Sequence, residues 1–384
     1  MTTHVFIVDF VTFKYHLEYL FAGTGAKDNV IDFNAKSSTS LKPMTENNLV
    51  GMIADSQRIR TGDYIIFYLQ QDMSEGIYEG KFYGIFKAKE DLSFLDNNDK
   101  NQFLKKELIK SLTFRTLIEP YEVYAVGVTE WEALDEIKFI QSPNQMLWSL
   151  IYRKLKVNRG NTMITIYESD RLFKLLRDKN NRKTLDSQNL TYDNVTREIK
   201  PSNDKNVYLG RKVAIDILTR LVRKHNEGKA FEMHLQAYVI QNIDRNKNKT
   251  LDVCLLDSLS LEWIGNEVSC GVGMQRIDVM LSVFKENSRI IIPIELKAVE
   301  ADEKNISQIQ RYVDWLEQYY IPNRISDTQP VLISKKIENK TTASYKNIIK
   351  TFEEFNKKNT RCLPLKFIEY ELASNNLYFK EEKY

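Results

Sequence analysis

Residues 275–297 read QRIDVMLSVFKENSRIIIPIELK, and the second half of the chain is best understood outward from them. From Ile277 the residues alternate: Ile277, Val279, Leu281 and Val283 belong to one side of an extended chain, Asp278 and Ser282 to the other. Lys285–Ser288 is polar and turn-like. The following run, RIIIPIELK (Arg289–Lys297), is rich in β-branched residues and predicts a second strand, so the pair reads as a hairpin. Glu295 and Lys297 stand two apart and share a face in a strand. A carboxylate from one strand and a Glu-x-Lys from its neighbour can thus converge. Phosphodiester hydrolysis needs such a set. Oxygens of Asp278 and Glu295 suit Mg2+, which binds through one or two carboxylates plus substrate phosphate, and the metal lowers the pKa of its bound water. Lys297 would orient the nucleophile or stabilise developing charge. The same residues also suit a surface hairpin bearing ordinary charges, so the flanking sequence has to decide. Pro293 cannot donate a ladder hydrogen bond, which predicts a strand that is exposed or bulged just before Glu295.

Upstream, Phe231, Leu235, Tyr238 and Val239 form an apolar helix stripe with Glu232 at its edge, and Glu232 and Gln236 are four apart on one side. Downstream, Ile306, Ile309, Val313 and Leu316 predict a buried helix on which Gln308 and Tyr312 again stand four apart. Further upstream, Leu209, Val213, Ile217 and Leu221 recur every fourth residue and predict an amphipathic helix with Arg211, Lys212, Arg220, Arg223 and Lys224 on its other faces. The order helix-Glu, strand-Asp, strand-Glu-x-Lys, helix-Gln-x-x-x-Tyr resembles a PD-(D/E)XK nuclease core, and within that superfamily the NucS-type endonucleases. The resemblance spans Phe231 to Tyr320 and is carried by Glu232, the GMQRID segment ending at Asp278, IELK up to Lys297, and QIQRY from Gln308 to Tyr312. It implies a restriction-endonuclease-like α/β domain and a Mg2+ site from Asp278 and Glu295. It further implies catalytic roles for Glu232, Lys297 and Gln308, with Tyr312 beside the DNA backbone.

The first half is patterned differently. His4–Val11, Gly62–Leu69, Lys81–Ala88 and Tyr121–Val128 are strand-like, and Leu172–Leu176 belongs to a closing helix. The stretch Asp178–Asn206 is poor in apolar residues and dense in Asn, Asp and Lys, which predicts an exposed linker. The expected domains are therefore 1–178 and 207–384, joined by 179–206. The segments HVFIVDF, IRTGDYIIFYL, GKFYGIFKA and EPYEVYAVGV resemble the EVE/YTH/PUA-like group of small β-barrels. That resemblance implies an aromatic pocket for a modified or flipped base, where stacking repays unstacking from the duplex. Phe21, Tyr78, Trp131 and Trp148 are candidates for the pocket, although each taken singly better suits barrel core or rim. Asp55 and Gln57 are candidates for reading a base edge. Residues 144–161, NQMLWSLIYRKLKVNRGN, set Arg153, Lys154, Lys156 and Arg159 beside Trp148 and Tyr152 with no acid among them. Such interleaving suits a phosphate backbone and a stacked base, as well as an ordinary solvated basic helix end.

Composition bounds these readings. A chain of 384 residues predicts two or three domains, and 42% apolar residues are enough for real cores. A net charge of +3 permits a polyanionic partner without arguing for one. Three cysteines without paired spacing and four scattered histidines predict neither a disulfide frame nor a His/Cys metal site. Met1–Phe10 lacks a signal-peptide pattern, and no apolar run approaches the roughly 20 residues that span a bilayer, so a soluble cytoplasmic protein is expected. The combined expectation is an α+β PUA-like barrel followed by an α/β nuclease. The chain would act as a Mg2+-dependent endodeoxyribonuclease of restriction type on double-stranded DNA, as a homodimer because one such active site cuts one strand. A mismatch- or structure-specific repair endonuclease, and a non-catalytic nucleic-acid-binding protein, are the competing expectations.

Overall fold

The computed structural model describes residues 1–26, 30–34, 43–148, 160–271, 275–286, 288–322 and 328–384. The chain is mixed α+β with several sheets, the eight-stranded one shaped as a half-barrel. It divides into two compact units. The first holds Met1–Asp32, Ser37–Gln141 and Gln145–Ile215, and the second holds Phe33–Lys36, Ser142–Asn144 and Asp216–Tyr384. No helix among the described residues is long and apolar enough to cross a membrane.

The first unit runs β1 (Thr3–Val8), α1 (Phe10–Glu18), β2 (Phe21–Thr24), α2 (Pro43–Gln57), β3 (Tyr64–Leu69), β4 (Lys81–Ala88), β5 (Phe94–Leu95), α3 (Lys105–Leu108), β6 (Phe114–Glu122), β7 (Val128–Thr129), α4 (Glu130–Asp135), β8 (Asn161–Ile164), α5 (Ile166–Lys179), β9 (Leu190–Asp193) and β10 (Glu198–Pro201). The sheet order is β2-β6-β4-β3-β1-β8, with β5 on β6 and β7 on β4. β1 and β3 pair in parallel at its centre, and the other pairs are antiparallel. Local chemistry sets the helix starts: Asp9 accepts from Thr12 N at 2.8 Å, and Thr129–Glu132 and Thr165–Glu168 close reciprocal capping boxes. The strand expected over Tyr121–Val128 lies earlier, in β6. The chain leaves the sheet after Glu122 and returns at Val128 by way of Gly127, where a Cβ would come within 2.8 Å of the Phe82 carbonyl oxygen.

Two expectations about the domain boundary are corrected. Residues 179–206 are not an exposed linker: β9 and β10 form an antiparallel hairpin whose Leu190, Tyr192 and Ile199 enter the core with Phe13, Phe67 and Tyr83. Only one side of a hairpin has to be apolar, so three buried residues suffice in a segment that otherwise reads as polar. The helix expected from Leu209 to Leu221 starts only at Leu218. Leu209 is 79% exposed, and Val213 bridges Leu95 in extended chain. Tyr208 packs against Phe21, Phe94 and Phe103, while Arg211 holds Asp96 at 3.0 Å and Asp99 at 2.7 Å. These contacts tie the exit strand to the first unit in place of a helix.

The second unit runs α6 (Leu218–Asn226), α7 (Glu232–Asn242), α8 (Lys249–Leu255), β11 (Ser260–Ser269), β12 (Arg276–Lys285), β13 (Ser288–Glu300), α9 (Lys304–Trp315), β14 (Val331–Lys335), α10 (Ala343–Lys358), β15 (Lys366–Ala373) and β16 (Asn376–Glu382). Its six strands lie in sequence order, antiparallel except for the parallel pairs β13–β14 and β14–β15. Parallel neighbours need crossovers, and α9 and α10 supply them. Ile309 and Val313 of α9 share one cluster with Phe352 of α10, Leu332 of β14 and Phe367 of β15. The expected hairpin is β12–β13. Pro293 is neither exposed nor at a bulge: it pairs with Met280 and is buried. On its other side it falls between the Ile291–Thr328 bridge and the β14 ladder that begins at Ile294–Val331, so its missing N–H breaks no regular pairing.

Candidate active site

Val279 pairs with Ile294, so Asp278 and Glu295 are the next residues outward on β12 and β13. On the far side Glu295 pairs with Leu332 of β14, which makes its position central in the sheet. Asp278 is half-buried. Its Oδ2 accepts from the Leu296 amide at 2.8 Å, and its main-chain oxygen accepts from Gln236 Nε2 of α7 at 2.8 Å. Glu295 is 0% exposed. Its Oε2 lies 2.6 Å from the Tyr312 hydroxyl of α9, and its Oε1 lies 2.5 Å from Lys297 Nζ. Lys297 Nζ is also 3.7 Å from Oε1 of Glu232, at the start of α7. Two strands and one helix thus bring Glu232, Asp278, Glu295 and Lys297 to one place, and a second helix, α9, sets Tyr312 against Glu295.

The electrostatics follow from burial. Desolvation, and then the neighbouring Glu295 carboxylate, push the Asp278 carboxyl well above its ordinary value. Desolvation likewise raises Glu295, against the pull of Lys297 and Tyr312. Burial alone would lower Lys297, but Glu295, Glu232 and Asp278 outweigh it and hold the ammonium above its ordinary value. Two carboxyls short of positive charge face one ammonium. Oxygen-only donors of this kind fit a hard divalent cation, and Mg2+ takes few protein ligands. Among the described residues no group of three or more His, Cys, Asp or Glu could hold a metal ion; Asp278 and Glu295 are a pair of oxygen donors.

Other predicted residues lie elsewhere or act differently. Tyr312, expected at the DNA backbone, is 1% exposed: its hydroxyl faces both Glu295 Oε2 and the Arg276 carbonyl oxygen at 2.8 Å, and no DNA strand can reach it there. Gln308 donates to the Tyr312 hydroxyl at 3.2 Å and touches neither carboxylate directly. Phe21 is not in a pocket either; it is buried with Leu108 and Leu112 beneath the Arg115 guanidinium. Asp55 and Gln57 are buried too, holding Arg58 and the Ser93 carbonyl, so neither is free to read a base edge. Tyr78 and Trp131 do line one cavity, and Trp148 is half-buried. Tyr152, Arg153, Lys154, Lys156 and Arg159 lie outside the described residues. Sequence reasoning passed over Gln236 as an anchor of Asp278; its spacing from Glu232 was the available signal.

No family model matches the chain, and no curated protein matches it. The solved structure of a hypothetical protein from Leishmania major is similar at a TM-score of 0.29 and 9% identity, over 47% of this chain and 96% of that one. At that score the likeness bears on neither fold nor function.

Proposed function

We propose that this protein is a divalent-metal-dependent DNA endonuclease of the PD-(D/E)XK kind, with its catalytic centre in the second unit and a PUA-like nucleic-acid-reading first unit. One observation carries the reading: Asp278 and Glu295, side by side on adjacent strands and deprived of water, converge with Lys297 and Glu232. Buried carboxylates are unfavourable for a scaffold and are retained where a cation and an anionic substrate use them.

Asp278 and Glu295 would hold Mg2+, which would supply a bound water of lowered pKa and neutralise charge on the phosphate. The chain's own residues do the rest. Lys297, kept protonated by its carboxylate neighbours, directs its ammonium at the non-bridging oxygen on which negative charge grows as water attacks phosphorus and the ester oxygen leaves. Tyr312 fixes one oxygen of Glu295, and the Leu296 amide fixes one oxygen of Asp278, so both carboxylates are oriented before substrate arrives. Gln308 orients Tyr312 in turn. Glu232, half-exposed at a helix start, sits where a second water or the substrate edge would meet Lys297.

Cleavage of a plasmid set with Mg2+, comparing unmodified with cytosine- and adenine-modified DNA, tests the reading. Discrete fragments that vanish with EDTA and in Asp278→Ala support a restriction-type enzyme. Cutting confined to mismatched or branched duplexes moves it to repair. Undiminished DNA binding with no cutting of any duplex removes catalysis altogether. Molar mass in solution, with and without DNA, tests the expected homodimer.

A further inference from the structure

Glu267 stands inside strand β11 with φ +47, in the left-handed region that residues other than glycine rarely adopt. The other non-glycine residues with positive φ occupy turns or the ends of elements, so among the described residues Glu267 alone keeps such a backbone within a strand. Asn266 pairs with Val279 and Val268 with Ile277, which sets Glu267 opposite Asp278. Asp278 in turn adjoins Glu295, so three neighbouring strands carry three carboxylates in a row. A strained residue inside regular structure at such a place points to use of its side chain.

What Glu267 holds is Arg276: its Oε2 lies 2.5 Å from Arg276 Nη1. Arg276 comes two residues before Asp278 on β12 and therefore belongs to the same face. Its carbonyl oxygen accepts from the Tyr312 hydroxyl that also holds Glu295. One hydroxyl thereby fixes the root of Arg276 relative to the Glu295 carboxylate. The Arg276 side chain is 35% exposed, so a ligand can reach it where it cannot reach Tyr312.

The contact between the two is made at one point. Elsewhere in the same sheet Arg289 grips Glu262 through Nε and Nη2, each at 2.7 Å, in a fork that occupies both carboxylate oxygens. Arg276 offers Glu267 one nitrogen, and among the described residues the rest of its guanidinium has no partner. Spare donors on a planar fork suit the paired oxygens of a phosphate. The charges around the site call for such a donor. An anion that reaches Lys297 meets Glu232, Glu267, Asp278 and Glu295, and Arg276 is the second cation of this group.

We propose that Arg276 binds a phosphodiester of the substrate strand, and that Glu267 holds the guanidinium in readiness until that phosphate displaces its carboxylate. The inference rests on the nuclease reading for its substrate class, a phosphodiester chain. It gives Arg276 the backbone contact that the resemblance implies for Tyr312, whose hydroxyl is buried. Carboxylate and phosphate present alike to a guanidinium, so the exchange needs no more than a turn of the Arg276 side chain. Backbone contacts set position and carry no base information, so Arg276 contributes affinity and register without choosing a sequence.

Fluorescence anisotropy of a labelled random-sequence DNA duplex, titrated with the full chain in EDTA over a series of salt concentrations, reads the contact apart from cleavage. Arg276→Met should weaken binding by about ten-fold and lower the slope of log affinity against log salt by about one. Arg276→Lys should restore the slope and part of the affinity, since it keeps the charge without the fork; it also carries the test if Arg276→Met fails to fold. Glu267→Gln frees the guanidinium and should tighten binding by about three- to ten-fold. The same change made in Arg276→Met should do little, whereas a carboxylate that merely repelled DNA would matter equally in both backgrounds. Plasmid cleavage by the same proteins separates the two readings. A parent protein that binds with this dependence on Arg276 and cuts nothing keeps the contact and loses the nuclease; one that cuts with KM unchanged in Arg276→Met keeps the nuclease and loses the contact. Absence of DNA binding by the parent, an unchanged affinity and salt slope in Arg276→Met, or equal tightening by Glu267→Gln with and without Arg276 would each overturn the proposal.

Discussion

Replacing Asp278 by asparagine should stabilise the protein while abolishing cleavage. Asp278 is held well above its ordinary value of 3.8, first by burial and then by Glu295. An unfolded chain releases this proton near the ordinary value, and the folded chain releases it only at higher pH. Between the two, the folded state binds more protons, so stability falls as pH rises through that window and stays low above it. An amide keeps an oxygen for the Leu296 N–H and carries no charge, so Asp278→Asn should raise stability at neutral pH. In a unit of this size about 1 kcal/mol moves the melting temperature by roughly 2–4 °C, so a gain of a few degrees is the scale on which the melts read the effect. Calorimetric melts in EDTA at pH 5 and pH 8 provide the assay. The parent protein should lose stability from pH 5 to pH 8, the variant should lose less, and Mg2+ should raise the melting temperature of the parent alone. A variant that melts below the parent at pH 8 in EDTA would refute the reasoning, because Asp278 would then stabilise the fold as an ordinary paired carboxylate.

Other outcomes follow from the same contacts. Tyr312→Phe removes a hydroxyl facing two buried acceptors and should lower kcat by roughly ten- to a hundred-fold with KM little changed, measured in single-turnover cleavage. Because that hydroxyl opposes the upward push on Glu295, the acid limb of the kcat–pH profile should also move to higher pH. Lys297→Ala should abolish cleavage and leave DNA binding, read by gel shift, nearly intact; loss of both together would mean that Lys297 serves the fold. Ile199→Ala should destabilise the first unit by about 2–5 kcal/mol in urea unfolding, whereas a change in a true linker would cost nothing measurable.

The grouping of Glu232, Asp278, Glu295 and Lys297 was legible because strand alternation and helical spacing are local. Asp278, Glu295 and Lys297 needed only the period of two, and Glu232 needed only its place at the head of an apolar stripe. What failed depended on partners distant in sequence. Leu209–Leu221 has helical spacing, yet Arg211 pairs with Asp96 and Asp99 more than a hundred positions earlier, and those pairs hold the chain extended. Phe21 looked like a pocket ring because nothing nearby in sequence shows the Arg115 guanidinium that covers it. Tyr312 was placed at the DNA because helical spacing fixes its neighbours on the helix but not the strand its hydroxyl faces. Residues 179–206 read as polar because a hairpin on a unit's surface buries few side chains, and the turn carries Arg197 where a glycine would have signalled the bend.

The tie at Arg211 has a consequence for how such a chain could be assembled from parts. Asp96 is fully buried and takes two guanidinium groups, Arg115 at 3.4 Å and Arg211 at 3.0 Å. A break anywhere in 179–206, where composition alone would place it, leaves the first unit without a strip of its own core and leaves Asp96 with half its counter-charge. The seam at which one first unit could be exchanged for another by recombination therefore lies after Ile215, and a transplanted first unit must bring its own tether with it.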